Sequence, residues 1–234
     1  FDDGTERNRA LDGVPVRTIN ANLTADTDAA TAVPLSINSG IGFIGVAQKA
    51  PFDITHDEAL LMLAECNPHG HPNSDVLVPI RNAMDITQRV RATWNINFGL
   101  DMPERDAALY EKPFAHVTTT VRPLRLDHRE PRQAKYWWLF ARPCPDMRKA
   151  LTGLSRFAAT PRVSKHRVVV WLSSELLCDS AIVAFARSDD YFFGVLHSRF
   201  HEVWALKLGT RLETRPRYTP TTCFETFPFP ESFA

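Results

Sequence analysis

A mixed α+β fold is predicted for this 234-residue chain by three observations. Helical spacings interleave with short apolar runs, without the regular strand–helix–strand rhythm of a parallel sheet. The strand-like runs are brief and bounded by Pro, Gly and Asn. The longest helical spacing lies near the C-terminus and leads into an irregular tail rich in Pro and Phe. The expectation is therefore mixed helices and short β-sheets, a long C-terminal helix and that tail.

Residues 1–50 are polar and turn-rich, with brief candidate strands at residues 14–23 and 40–47. Thr55 through Cys66 reads as a helix, Thr55 being its N-cap and Glu58 completing a capping box. Asn67-Pro68 ends it, and the loop to Asp75 is a plausible boundary. Residues 76–80 and 94–98 read as strands. Pro103 and Glu104 open a further helix, because proline suits a first turn and an acid suits the positive helix end. Pro113 should kink or split it. Asp146 to Leu154 reads as a short capped helix. Lys165 to Leu172 is Val-rich and reads as a buried strand, with Ala181 to Ala186 as its partner. Tyr191 to Leu208 keeps helical spacing throughout, and Gly209 suits its C-terminal cap. The tail, with Pro216, Pro220, Pro228 and Pro230, should run over the surface.

Apolar residues at 44% and charged residues at 23% are ordinary for a globular protein with a real core. The chain shows no basic-then-apolar signal-peptide pattern and no apolar run long enough to span a bilayer, so a cytoplasmic protein without membrane contact is expected. Phe1 in place of a methionine leads us to expect an excised or processed piece. Cys66, Cys144, Cys178 and Cys223 are scattered without metal or disulfide spacing, so reduced thiols are expected. Charge is balanced overall but segregated. Residues 1–80 hold four Lys/Arg against eleven Asp/Glu, whereas residues 81–217 hold 23 against 14. A basic middle of that kind can meet phosphates, and can equally be a solvated mixed surface.

Several patterns resemble catalytic or metal motifs and fall short. Gly40-Ile-Gly-Phe-Ile-Gly45 matches a dinucleotide fingerprint, but no good strand precedes it and Pro51 forbids a long helix after it. A glycine-punctuated strand is the better account. His197 and His201 sit one helical turn apart, yet Glu202 falls outside both zinc-protease patterns. Cys66, His69 and His71 lack a fourth ligand. Neither a nucleophile triad nor a phosphate loop is present, so we assign no catalytic residue, no metal and no cofactor to this chain.

Two basic segments are candidates for nucleic-acid contact. Arg129, Arg132 and Lys135 precede Tyr136, Trp137 and Trp138. Arginines beside aromatics can hold a phosphate backbone, while Trp137 or Trp138 suits the core. The second is the turn Arg162, Ser164, Lys165, His166 and Arg167, before a Val-rich run. Arginine can take guanine O6 and N7 together, Ser and His can meet other base edges, and lysine can hold phosphate. A solvated turn is the plain alternative.

These segments belong to a series of ordered blocks. Phe1-Asp-Asp-Gly, Leu11-Asp-Gly and Ile19-Asn-Ala-Asn-Leu come first, then Gly42-Phe, Gly45 and Pro51-Phe-Asp-Ile. Asn67-Pro-x-Gly-x-Pro-Asn-Ser-Asp75, Met84-Asp-Ile-Thr87, Trp94-x-Ile-x-Phe-Gly99 and Ala108-Leu-Tyr-Glu-x-Pro-Phe114 follow. Trp137-Trp-Leu, Leu154-Ser-Arg-Phe, Thr160 to Arg167 and the run from Asp190 to Pro230 complete it. In this order the blocks resemble the target-recognition region of type IIG/IIL, MmeI-like restriction–modification DNA methyltransferases. The chain departs from the family pattern at Asn97, where an acid is expected. It also lacks the family's S-adenosylmethionine glycine motif and its NPPY tetrad. The resemblance implies that residues 1–54 are the end of a methyltransferase domain with its connector, and that residues 55–234 form a DNA target-recognition domain. It implies double-stranded DNA as partner. Adenine-N6 methylation with S-adenosylmethionine, and any DNA cleavage, would belong to the missing part of a parent chain. The alternatives are a scaffold docking on a methyltransferase or nuclease, and a methyltransferase fragment that retains cofactor binding. Phe224, Phe227 and Phe229 are expected to form a packed clasp.

Overall fold

The structure, a computed structural model, describes residues 8–17, 19, 25, 32–213 and 215–230. The first sequence block, the third apart from Ile19, and half of the strand expected over 14–23 lie outside them.

Strands β1 (Arg9–Leu11) and β2 (Val14–Val16) form a hairpin that turns at Asp12 and Gly13, both at positive φ. A two-residue turn between twisted strands requires that conformation. The chain then runs through β3 (Gly42–Ile44), β4 (Asp53–Ile54), α1 (His56–Ala64), β5 (Leu77–Arg81), α2 (Ala83–Thr87) and β6 (Trp94–Ile96). Five helices follow: α3 (Glu104–Ala107), α4 (Glu111–Thr120), α5 (Arg122–Arg125), α6 (Pro131–Lys135) and α7 (Pro145–Leu151). Next come β7 (Arg156–Pro161), β8 (Val170–Ser173), β9 (Leu177–Cys178) and β10 (Ile182–Phe185). Helices α8 (Asp190–His197) and α9 (Arg199–Leu208) lead to a hairpin of β11 (Thr210–Leu212) and β12 (Arg215–Arg217), then to a π-helical turn at Pro220–Phe224. The α+β expectation holds.

Two four-stranded sheets organise these elements. One has the order β3-β10-β7-β8 and is wholly antiparallel; the other has the order β4-β6-β5-β9, with β5 and β9 parallel. The first sheet is covered on both faces, and its side chains divide with the period of two that a pleated strand imposes. Phe157 and Ala159 of β7, with Ile182 and Ala184 of β10, pack into a core with Phe52, Ile96, Phe98, Trp137 and Trp138. Ala158, Val183 and Phe185 point the other way, against Phe192, Leu196, Ala205, Tyr218 and Phe224. Burial on both faces explains why these strands read as continuous apolar runs rather than alternating ones.

Local signals act as expected in several places. The Thr55 hydroxyl accepts the Glu58 N–H, and the Glu58 carboxylate accepts the Thr55 N–H at 2.8 Å, closing the capping box. Trp137 and Trp138 are both core residues. The Phe clasp also forms: Phe224, Phe227 and Phe229 meet edge to face, and the Asn38 amide donates to the carbonyls of Phe224, Glu225 and Phe227.

Elsewhere the structure corrects the sequence expectations. The long C-terminal helix is two helices, because Ser198 adopts extended backbone and its hydroxyl caps α9 by accepting the His201 N–H. The helix expected from Pro103 breaks after Ala107, and Pro113 falls in the first turn of α4, where it removes no helical hydrogen bond. Only Val170–Ser173 of the Val-rich run is strand. Its partner is β7 rather than β10, which pairs with β3 and β7. Part of the tail is core: Pro220, Cys223 and Phe224 are buried.

Arg125 fixes the helical half from within. Its guanidinium is buried over the Phe52 ring and donates to the carbonyls of Trp137, Leu139 and Gln48. Burial pushes its pKa down to about 10, so it remains a cation at neutral pH. Only arginine's rigid fork can reach three carbonyls on two segments at once.

Candidate nucleic-acid interface

The basic turn hangs from the end of β7. The Thr160 hydroxyl donates to the Val168 carbonyl at 2.7 Å and closes its base, while the Ser164 hydroxyl donates to the His166 carbonyl at 2.7 Å and tightens its tip. Lys165 and His166 project into solvent at that tip. The turn is stitched to β12: Val163 pairs with Arg217, and the Tyr218 N–H donates to the Arg162 carbonyl at 2.6 Å.

The turn's two arginines differ. Arg162 is half-buried and donates to the Ser180 carbonyl at 2.9 Å. Burial holds its pKa below the ordinary value, and the positive charges of Arg217 and Arg142 push the same way. Arg142 and Arg217 are both exposed, and Arg142 is steadied by a 3.1 Å bond to the Gly45 carbonyl. Arg162 is therefore within range of the charges of Arg142 and Arg217, with Asp179 as the opposing acid. Such a cluster is relieved by an anion, and a phosphate backbone supplies one at regular spacing. Arg167 turns inward instead. Its guanidinium lies over the Tyr218 ring at 5.2 Å and burial lowers its pKa. From there it supports the turn rather than extending from it.

Arg129, Arg132 and Lys135 are exposed on α6 and the approach to it. Arg132 donates to the Ala141 carbonyl at 2.9 Å, beside Arg142, which links this group to the arginine cluster. Lys135 lies over the Tyr136 ring at 5.2 Å and Arg122 over Trp137 at 5.4 Å. Sequence reading missed Arg142 and Arg217. No local pattern marks them; they reach Arg162 only through strand pairing.

Next to Asp179 lies a small polar cavity of about 50 Å³, lined by Gln48, Asp53, Asn82, Asp85, Arg91, Thr93 and Asp179. Burial raises the Asp53 and Asp179 carboxyls above the usual carboxylate range. Asp85 is committed to the α2 cap and to Arg91. Among the described residues no group of three metal-ligating side chains is assembled. His201 spends both ring nitrogens on the Leu196 carbonyl and the Tyr218 hydroxyl, each at 3.0 Å. Gly42 and Gly45 of the Gly40–Gly45 pattern do not leave room for a dinucleotide. A Cβ on Gly42 would meet the Phe224 ring at 3.0 Å, and one on Gly45 would lie 2.3 Å from the Asp179 carbonyl, so protein already fills that space.

A family model described as MmeI, target recognition domain, matches residues 100–231. A 58-residue stretch is 33% identical to DNA methyltransferase A of Bacillus subtilis (strain 168), covering 25% of this chain and 7% of that protein. The solved structure of the type IIL restriction–modification enzyme MmeI in complex with DNA has a similar fold, with a TM-score of 0.67 at 16% identity. That likeness covers 93% of this chain and 29% of the MmeI chain. The chain thus spans a minor part of both relatives.

Proposed function

The chain belongs to the MmeI target recognition domain family, and on that premise we propose that it reads the sequence of double-stranded DNA for a restriction–modification methyltransferase. The observation that carries this reading is the exposed Lys165–His166 tip, with Arg162 at its base, Arg217 paired alongside through Val163, and Arg142 within range of Arg162's charge. In this reading Arg142, Arg217, Arg132, Arg129 and Lys135 hold phosphates and set register, whereas Arg162, Ser164, Lys165 and His166 face the groove. Arg167 holds the turn in place. Residues 1–54 close a preceding methyltransferase domain and its connector, with β3 and β4 running into the two sheets. That domain would bind S-adenosylmethionine, take an adenine from the stack and methylate N6, since chemistry on a base requires extruding it. No residue of this chain is assigned a part in that step.

Fluorescence anisotropy with a duplex, across a salt series, tests the proposal. Affinity should fall steeply from about 50 to about 200 mM salt, and Arg142→Ala or Arg217→Ala should each reduce the log–log slope by about one. Binding indifferent to salt, or slopes unchanged in both variants, would refute it.

A second reading, docking on a methyltransferase partner, is favoured by a separate surface. Phe200 is 84% exposed on α9, with Val203 beside it, along an apolar groove of about 700 Å³ that Pro228 and Pro230 complete. Exposed apolar patches of this kind mark protein contacts. Phe200→Asp should abolish co-purification with the methyltransferase domain and leave DNA affinity unchanged.

A further inference from the structure

A cavity of about 360 Å³ opens between α7, the end of β6 and the turn that joins β8 to β9. Asn97 and Arg148 meet in its wall, and local structure sets both side chains. Gly99 turns at positive φ, so its N–H returns to Asn97 Oδ1 at 3.2 Å. Arg148 is anchored at the start of α7, where its Nε donates to the Pro143 carbonyl at 2.8 Å. Its Nη2 donates to the same Asn97 Oδ1 at 3.2 Å. Two donors on one oxygen fix the orientation of the amide and leave Nδ2 to donate elsewhere. Asn97 is 7% exposed, yet its Nδ2 has no acceptor among the described residues, and neither has Arg148 Nη1. No carboxylate pairs with Arg148 among those residues; Glu175 lines the cavity but is exposed and not paired with it. Burial lowers the arginine's pKa without bringing an acid to it. Val78, Met147, Leu151 and Leu177 supply an apolar wall.

We propose that this cavity binds a small molecule carrying a carboxylate or phosphate on a compact apolar body. Asn97 Nδ2 and Arg148 Nη1 present only donors, and an oxyanion supplies only acceptors. A half-buried guanidinium whose partners are all neutral keeps a desolvated charge, which a bound oxyanion offsets. Its planar fork suits two oxygens of either group. The apolar wall favours a ligand with a body over a bare inorganic ion, because it stabilises only apolar surface withdrawn from water. A few placed polar groups in a mostly apolar hollow are the usual composition of a small-molecule site. An amide as buried as Asn97 is reached more readily by a small ligand than by the phosphate of a wide duplex. The cavity shares no residue with the turn at Arg162 or with Arg142 and Arg217, so the inference stands apart from the DNA reading.

Isothermal titration of the full chain at constant ionic strength tests the site. Phenyl phosphate and benzoate are the probes, with inorganic phosphate and acetate as their controls. At least one aromatic probe should bind, about tenfold or more tightly than its control, and the probe that binds identifies the oxyanion. Asn97→Asp keeps the shape of the side chain and gives Arg148 a carboxylate of its own. It should abolish binding while leaving the thermal midpoint unchanged or raised. Arg148→Gln should abolish binding through the other partner. Binding that survives either variant, equal binding of probe and control, or no binding of either aromatic probe would overturn the proposal. Displacement of the bound probe by a duplex would identify the DNA backbone as the occupant and overturn it too.

Discussion

His201 shows how a buried side chain sets a pH limit. The Leu196 carbonyl only accepts, so Nδ1 carries the proton, and Nε2 then accepts from the Tyr218 hydroxyl. Burial, with the nearby charge of Arg167, lowers the His201 pKa to about 4 from 6.5. The unfolded chain therefore binds the proton first as pH falls. This contribution is complete above about pH 6.5 and is lost as pH drops toward 4, amounting to about 3 kcal/mol. Urea titrations of the wild type should show that decline, and His201→Gln should flatten it. At this scale the sequence was half-legible. The His197–His201 spacing was visible, but Tyr218 lies seventeen residues from His201 and only the fold supplies it. Arg162 and Arg167 look alike in the sequence; burial over Tyr218 distinguishes them, and burial has no local signature.

Elements whose cause is local were readable, and those with distant partners were not. The α1 capping box needs only Thr55 and Glu58, so it was evident. Strand β7 was missed because Phe157-Ala-Ala-Thr160 is buried on both faces and shows no alternation. Its neighbour in the sheet could not be inferred from order along the chain, since β10 lies between β3 and β7. The break at Ser198 was hidden because α8 and α9 present Leu196 and Ala205 to one core, so the helical spacing continues across it. Gly45 illustrates an element held by close backbone approach. Its N–H donates to the Ile182 carbonyl, and it leaves no room for a Cβ against Cys178 and Asp179. Gly45→Ala should destabilise the fold by about 2–3 kcal/mol, read from a chemical denaturation midpoint. An unchanged midpoint would mean that β9 can retreat.

Over the whole molecule, the acidic N-terminal third and the basic middle were plain from composition, and so was the resemblance that the family match bears out. The grouping of cations around Arg162 was not, because Arg142 is placed by its pairing with Ala47 and Arg217 by its pairing with Val163, and neither partner is near in sequence. The sheet β3-β10-β7-β8 has a further consequence. It is the common wall of both apolar cores, with adjacent residues of a single strand serving one core and then the other. Neither half can melt while the wall stands, and the wall cannot stand with one side flooded. Calorimetry should therefore record one heat-absorption peak whose van't Hoff and calorimetric enthalpies agree. Cutting the polypeptide between its halves should leave two pieces that are insoluble apart and regain shape only when mixed.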